Sequence, residues 1–340
     1  MKIRMSWVVS FAVVVAASVG AAEPAVPAKF SVQFVTVEKD VKLEVVDWGG
    51  SGRPLVLLAA LGADAHIYTD FAPKLTPRYH VYGITRRGFG ASSVPASGYS
   101  ADRLGDDVLA VIDALKLNRP VLMGHSMAGS ELSSVGSRQP EKVAGLIYLE
   151  AAYSYAFYDE SSGDTLNYLI DSIEMRKKLE QLVPGGGRPD QKQLVEELLK
   201  GVLQLEKELR DRQMLLKGMP EPPKEAAQEP RPAVPVGIRG IYGGFQKYTA
   251  IPVPILAIYA LHHDLNDLGD GEALAKDPAA AARAEADDIA RSGTQANAFE
   301  KGVPSAHVVR IPHASHVIFM SNEADVLREM NAFLASLPGA

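Results

Sequence analysis

The chain has 340 residues, 47% hydrophobic and 22% charged, with a formal net charge of -6 and no cysteine. That balance is ordinary for a globular protein with a sizeable core. The acidic charge, with no Lys/Arg run, excludes a nucleic-acid partner, which needs a basic face against phosphates, and the absence of cysteine excludes disulfides, thiolate zinc sites and cysteine nucleophiles.

Lys2 and Arg4 precede an apolar run from Trp7 to Val19, and Gly20 and Ala22 stand three and one residues before Glu23. This pattern predicts a signal peptide over residues 1–22, cleaved before Glu23, and a periplasmic or extracellular destination. The run is too short to span a bilayer comfortably, so no stable membrane insertion is expected once it is removed. The expected partner is a small molecule.

Ser31–Val37 and Lys42–Val46 alternate apolar and polar residues, as two half-exposed antiparallel strands do. Pro54–Leu58 is continuously apolar and suits a strand buried on both faces. His80–Ile84, Pro120–Met123, Val143–Leu149, Val253–Tyr259 and Ala306–Ile311 continue the series, with helical patterns at Ile67–Leu75, Ala101–Leu115, Met127–Gln139 and Ala324–Leu337. Strands alternating with helices predict an α/β fold: a mainly parallel twisted sheet with helices on both faces. Between Tyr153 and Tyr248 the alternation breaks. Helical patterns at Leu166–Leu182 and Gln191–Leu216, joined by Pro184–Pro189 and followed by a proline-rich connector from Pro220 to Pro235, read as a helical cap insertion. The expected organisation is therefore core over 23–152, cap over 153–248 and core again over 249–340.

Val121-Leu-Met-Gly-His-Ser-Met-Ala-Gly129 carries the chemistry. A buried strand ends near Met123, Ser126 sits on a sharp turn and a helix begins near Met127. A serine so placed projects its hydroxyl above the sheet, where the next backbone N–H can stabilise an oxyanion. Gly124 meets the need for a small residue two before it; two after it stands Ala128, with Gly129 one later. An ordinary helix-capping serine is the plainer alternative.

With Arg87-Gly88-Phe89-Gly90-Ala91-Ser92, which is similar to an R-G-x-G-x-S loop, this stretch resembles the α/β-hydrolase superfamily with a serine nucleophile and a helical cap, from about Val32 to Leu337. The resemblance implies a serine hydrolase, a carboxylesterase acting through an acyl-enzyme on a small acyl substrate, with no cofactor and no metal. It implies Ser126 as nucleophile and His316, in Pro312-His-Ala-Ser-His316, as base, with His313 as rival. The acid is Asp264 after the strand Ile255–Tyr259, with Glu150 at the end of Leu146–Leu149 as its competitor and Asp267 a third choice. Relatives usually carry His-Gly after the third strand; here Ala59-Ala60-Leu61-Gly62 follows, so an oxyanion hole from the amides of Leu61 and Met127 rests on altered loop geometry. A serine rather than an aspartate in the turn implies acyl transfer, not displacement at carbon.

Three other readings stand beside this one. His262, His263, His313 and His316 with Asp264 make a candidate metal set. The altered loop is also compatible with a binding protein that has lost catalysis, and an amidase or peptidase is the alternative within the enzyme class. Tyr153, Tyr155, Phe157 and Tyr158 are candidates either for a substrate pocket or for packing.

Overall fold

The computed structural model describes residues 30–162, 164, 166–182, 189–217, 233–261, 263 and 276–339. Its strands are β1 (Ser31–Glu38), β2 (Val41–Gly49), β3 (Pro54–Leu58), β4 (His80–Ile84), β5 (Val121–His125), β6 (Gly145–Leu149), β7 (Ile255–Ala260) and β8 (Ala306–Ile311). They form one sheet in the order β1-β2-β4-β3-β5-β6-β7-β8. β2 is antiparallel to both its neighbours, and all pairings from β4 across to β8 are parallel. The apolar runs explain the difference. Every residue of β5 and β6 is buried, as a strand covered on both faces requires, whereas edge strand β1 leaves Val32 and Phe34 to solvent.

The helices are α1 (Ala101–Ala114), α2 (Gly129–Arg138), α3 (Asn167–Leu179), α4 (Pro189–Lys217), α5 (Val236–Tyr242), α6 (Pro278–Gly302), α7 (Ile318–Ser321) and α8 (Glu323–Ser336). On one face of the sheet Leu55, Leu57, Met123, Ile147, Leu149, Leu256 and Ile258 pack with Phe319 of α7 and Val326, Met330 and Phe333 of α8. Each such buried side chain contributes about 1.5–3 kcal/mol over leaving it exposed. At the starting ends of the parallel strands, Arg53 beside β3 donates to the carbonyl of Pro338, which fastens the C-terminal segment there.

The R-G-x-G-x-S loop is structural. Arg87 is buried and grips Asp107 of α1 through two nitrogens (2.6 and 2.7 Å), while Ser92 accepts from the Glu44 amide and donates to the Thr85 carbonyl. Gly88 and Gly90 both have positive φ, and a Cβ on Gly90 would meet Thr85 and Asp64 at 2.8 and 2.9 Å.

Two elements depart from the sequence reading. Ile67–Leu75 is not one helix but two 3₁₀ turns, Ala65–Tyr68 and Ala72–Lys74. Pro73 lacks a donor, and the Thr69 hydroxyl takes up the His66 carbonyl. The helix α6 has no counterpart in the periodicity. Its alanine-rich sequence forms by propensity rather than by an apolar stripe, and Asp277 caps it by accepting from the Ala279 and Ala280 amides. The chain also divides into two compact units: α3 and α4 lie in one, and the eight strands with α5 lie in the other. Within the helical unit, Lys178 of α3 pairs with Glu197 of α4 at 2.9 Å. Among the described residues no helix is long and apolar enough to cross a membrane.

Candidate active site

Strand β5 ends in register with β6, His125 opposite Leu149, so the next residue on each strand, Ser126 and Glu150, leaves the sheet side by side. Both have left-handed backbones, φ 52° for Ser126 and 49° for Glu150. Non-glycine residues hold that conformation only where their surroundings over-determine it. Around Ser126 the small residues do so. A Cβ on Gly124 would lie 3.0 Å from the Cβ of Ala128, and one on Gly129 would lie 1.8 Å from the Ala151 carbonyl oxygen. Ala128 therefore fits against a glycine, and the indispensable second glycine is Gly129, which lets α2 approach the chain just after Glu150.

His316 lies in the loop between β8 and α7, and its Nε2 is 2.9 Å from Ser126 Oγ. His313, the rival, is exposed; His316 is the histidine that reaches the serine. Beneath it, the buried His125 donates from Nε2 to the His316 carbonyl at 2.8 Å. Burial first, and the nearby His316 second, push the His125 imidazole down to about 3, so it stays neutral. The other nitrogen of His316, Nδ1, faces Glu150 Oε2 at 3.4 Å. Asp264 lies outside the described residues, as do Asp267, His262, the 1–22 signal segment and most of the proline-rich connector. Of the candidate acids, Glu150 is the one placed against His316 among the described residues.

Glu150 is fully buried, and its carboxylate accepts from the Ala260 amide (2.5 Å), the Tyr153 hydroxyl (2.6 Å) and His263 Nε2 (2.9 Å). Burial alone would raise its pKa, but the hydrogen bonds from His263 and His316 outweigh it and hold the carboxyl well below the usual range. His263 in turn places Nδ1 2.9 Å from Asp288 on α6. Burial disfavours charge on that imidazole, yet the two carboxylates prevail and push it up to about 10. A row of alternating charge results, Arg291, Asp288, His263 and Glu150, and its last member faces His316. Glu150, His263 and His316 also offer one donor atom each within 4.8 Å of one another, the spacing a metal asks for. With both ring nitrogens donating, however, His263 is an imidazolium without a lone pair to give. Asp288 carries no local motif, and 25 residues separate it from His263. His263 attracted notice only through its histidine neighbours.

After β3 the chain runs through Ala59-Ala60-Leu61-Gly62. The positive φ there belongs to Gly62 (83°), while Ala59, Ala60 and Leu61 keep ordinary backbones. The altered loop is thus built around Gly62. Tyr68 holds the strand end by donating to the Leu58 carbonyl at 2.9 Å, and the Leu61 amide makes no hydrogen bond among the described residues. The aromatic cluster is chiefly packing: Tyr155 stacks on Phe245, Phe157 meets Phe299 edge-on and Lys247 lies over Tyr158. The Tyr155 phenol is also a hydrogen-bonding neighbour of Ser126, and burial raises its pKa far above the ordinary value.

Comparison with known proteins places this geometry. Residues 55–329 match the alpha/beta hydrolase family. The chain is 33% identical over 121 residues to the AB hydrolase superfamily protein YisY of Bacillus subtilis, covering 35% of this chain and 45% of that one. It is 30% identical over 115 residues to 3-oxoadipate enol-lactonase 2 of Acinetobacter baylyi, covering 34% and 43%. These matches span under half the length of the curated relatives. Among solved structures, E-2-(acetamidomethylene)succinate hydrolase superposes with a TM-score of 0.54 at 18% identity, over 91% of this chain and 100% of that one. Carboxylesterase CesB (YbfK) of Bacillus subtilis gives 0.54 at 14% identity, over 91% and 92%. At such identities the superpositions speak for the fold alone. A sheet of this order, a strained serine on the turn after β5 and a family match over most of the chain lead to one assignment: the protein belongs to the alpha/beta hydrolase family.

Proposed function

We propose that this protein is a serine hydrolase that cleaves a small carboxylic ester or thioester through an acyl-enzyme, with Ser126 as nucleophile, His316 as base and Glu150 as acid. The observation that carries the reading is the 2.9 Å contact between His316 Nε2 and Ser126 Oγ at a left-handed turn. The Ser126 oxygen attacks the acyl carbonyl and its proton passes to His316 Nε2. The carbonyl oxygen, now negative, is met by the amides of Leu61 and Met127. His316 returns the proton to the departing alcohol or thiol, and water repeats the sequence to release the acid. Glu150 orients the imidazole and stabilises its charged form. The enol-lactonase relative, whose name describes opening of a cyclic ester, supports esters as the first class to test. Export belongs to the same reading and is supported by the charged, apolar and small-residue pattern of residues 1–22.

Intact-mass measurement after treatment with a fluorophosphonate tests this directly. Wild type is expected to take up one probe per chain, Ser126→Ala none, and His316→Ala to react far more slowly. On material recovered from the host, the same spectrum is expected to show a chain beginning at Glu23. A folded wild type that does not react would overturn the serine-hydrolase reading in favour of a binding protein.

A further inference from the structure

Resting on that reading, we infer that Arg86, held by Glu131, is a positioning residue that aims the Leu61 half of the oxyanion hole and ties it to the Ser126 half. Arg86 follows β4 by two residues. Because Ile84 pairs with Leu58, it comes to lie beside the chain that leaves β3. Its side chain is almost completely buried, and its three nitrogens go to three different acceptors. One terminal nitrogen donates to the Ala59 carbonyl at 2.9 Å, the other to the Ala60 carbonyl at 3.3 Å, and Nε donates to Glu131.

The two carbonyls are the informative partners. A trans peptide is planar, with its C=O and N–H on opposite sides, and there are no cis bonds among the described residues. Drawing the Ala60 oxygen toward Arg86 therefore turns the Leu61 N–H away from the guanidinium, and that amide makes no hydrogen bond among the described residues. The planar fork of arginine engages both carbonyls at once and fixes two successive peptide planes, which a single point charge does not.

Glu131 supplies the second half of the argument. It is buried in the first turn of α2, the helix that begins just after Ser126 and Met127, and its hydrogen bond to Arg86 joins that helix to the loop after β3. β3 and β5 are also direct neighbours, Leu58 opposite Gly124. The two amides proposed to receive the oxyanion are thus braced against each other by one buried ion pair. Within the loop the Ala60 carbonyl also accepts from the Ala63 amide at 3.3 Å, and Arg86 adds the hold on the Ala59 carbonyl and the tie to α2 that this turn bond does not supply.

A group that aims an oxyanion donor acts on the transition state more than on bound substrate. The test uses full-length mature protein, p-nitrophenyl acetate as substrate and phenylboronic acid as a tetrahedral analogue. Variants are Arg86→Lys and the double change Arg86→Met with Glu131→Met, which leaves no unpaired buried charge. Rates are expressed per site titrated with the fluorophosphonate, so misfolded material does not count. The expected result is a kcat roughly 10- to 100-fold lower with KM nearly unchanged, and a parallel loss of boronate affinity. Arg86→Lys is expected to fall between wild type and the double variant. If the double variant does not fold, Arg86→Lys decides by the same readouts. Wild-type kcat per titrated site in the folded variants, or KM and kcat changing together with boronate affinity intact, would overturn this inference alone. A wild type that refuses the fluorophosphonate removes the underlying reading and the inference with it.

Discussion

Ser126 and Glu150 occupy equivalent places on adjacent strands, each one residue past the last register pair and each left-handed. If Glu150 is the acid, Glu150→Gln leaves the shape of the site but loses the negative charge beside the imidazole. The expected kcat loss is about 10³-fold or more, against little change for Asp264→Asn; steady-state kinetics of the two variants separates the candidates. The turn makes a second demand. Gly129→Ala would drive a methyl into the Ala151 carbonyl, where an ideal Cβ lies at 1.8 Å, and is expected to destabilise by about 3 kcal/mol or to prevent folding. Ala128→Gly is expected to cost about 1 kcal/mol or less, so urea titrations of the pair should differ sharply. Ser126 and His316 were legible as candidates in the sequence because each sits in a short local pattern. The acid was legible only as a choice, since Asp264 and Glu150 both follow apolar runs in the sequence and the choice depends on which of them comes to face His316. Arg86 with Glu131, and His263 with Asp288, are pairs 45 and 25 residues apart, and no local pattern announces either.

At the scale of elements, apolar runs gave β3 to β8 to within two residues, because strands buried on both faces leave little freedom of composition, while alternation found β1 and β2 but ended β2 three residues early. Helix α6 escaped because alanine-rich sequence carries no stripe to detect. That omission matters, since α6 brings Asp288 to His263. The pH dependence of stability should show this bond. The His263 imidazole is raised from 6.5 to about 10 in the folded protein. Its contribution to stability is therefore complete below pH 6.5 and is lost as pH rises through about 10. Thermal melts of wild type are expected to drop by a few degrees across that upper value, and His263→Gln is expected to lack the step while starting from a lower Tm. A variant with the same alkaline step as wild type would place the titration elsewhere. Glu150 works in the opposite sense: its carboxyl is depressed, so its contribution is present above the ordinary carboxylate range and is lost in strong acid.

Over the whole molecule, all eight strands fall in one compact unit, and α3 and α4 form another inserted between β6 and β7. Insertion at that point in the chain was legible because the strand–helix alternation stops there. Tyr153–Tyr158 and α5 group with the strands rather than with α3 and α4. With no cysteine in 340 residues, no covalent tie exists to be reduced, and melting curves with and without dithiothreitol are expected to coincide. Every group in the proposed site leaves the sheet where its parallel strands finish: Leu61 after β3, Arg86 after β4, Ser126 after β5, Glu150 after β6 and His316 after β8. The bond from Arg53 to Pro338 fastens the tail of the chain where those strands start. A purification tag, a solid support or a fused reporter joined behind Pro338 therefore departs from the end of the sheet opposite the proposed site, and the protein can be tethered there without an attachment beside Ser126.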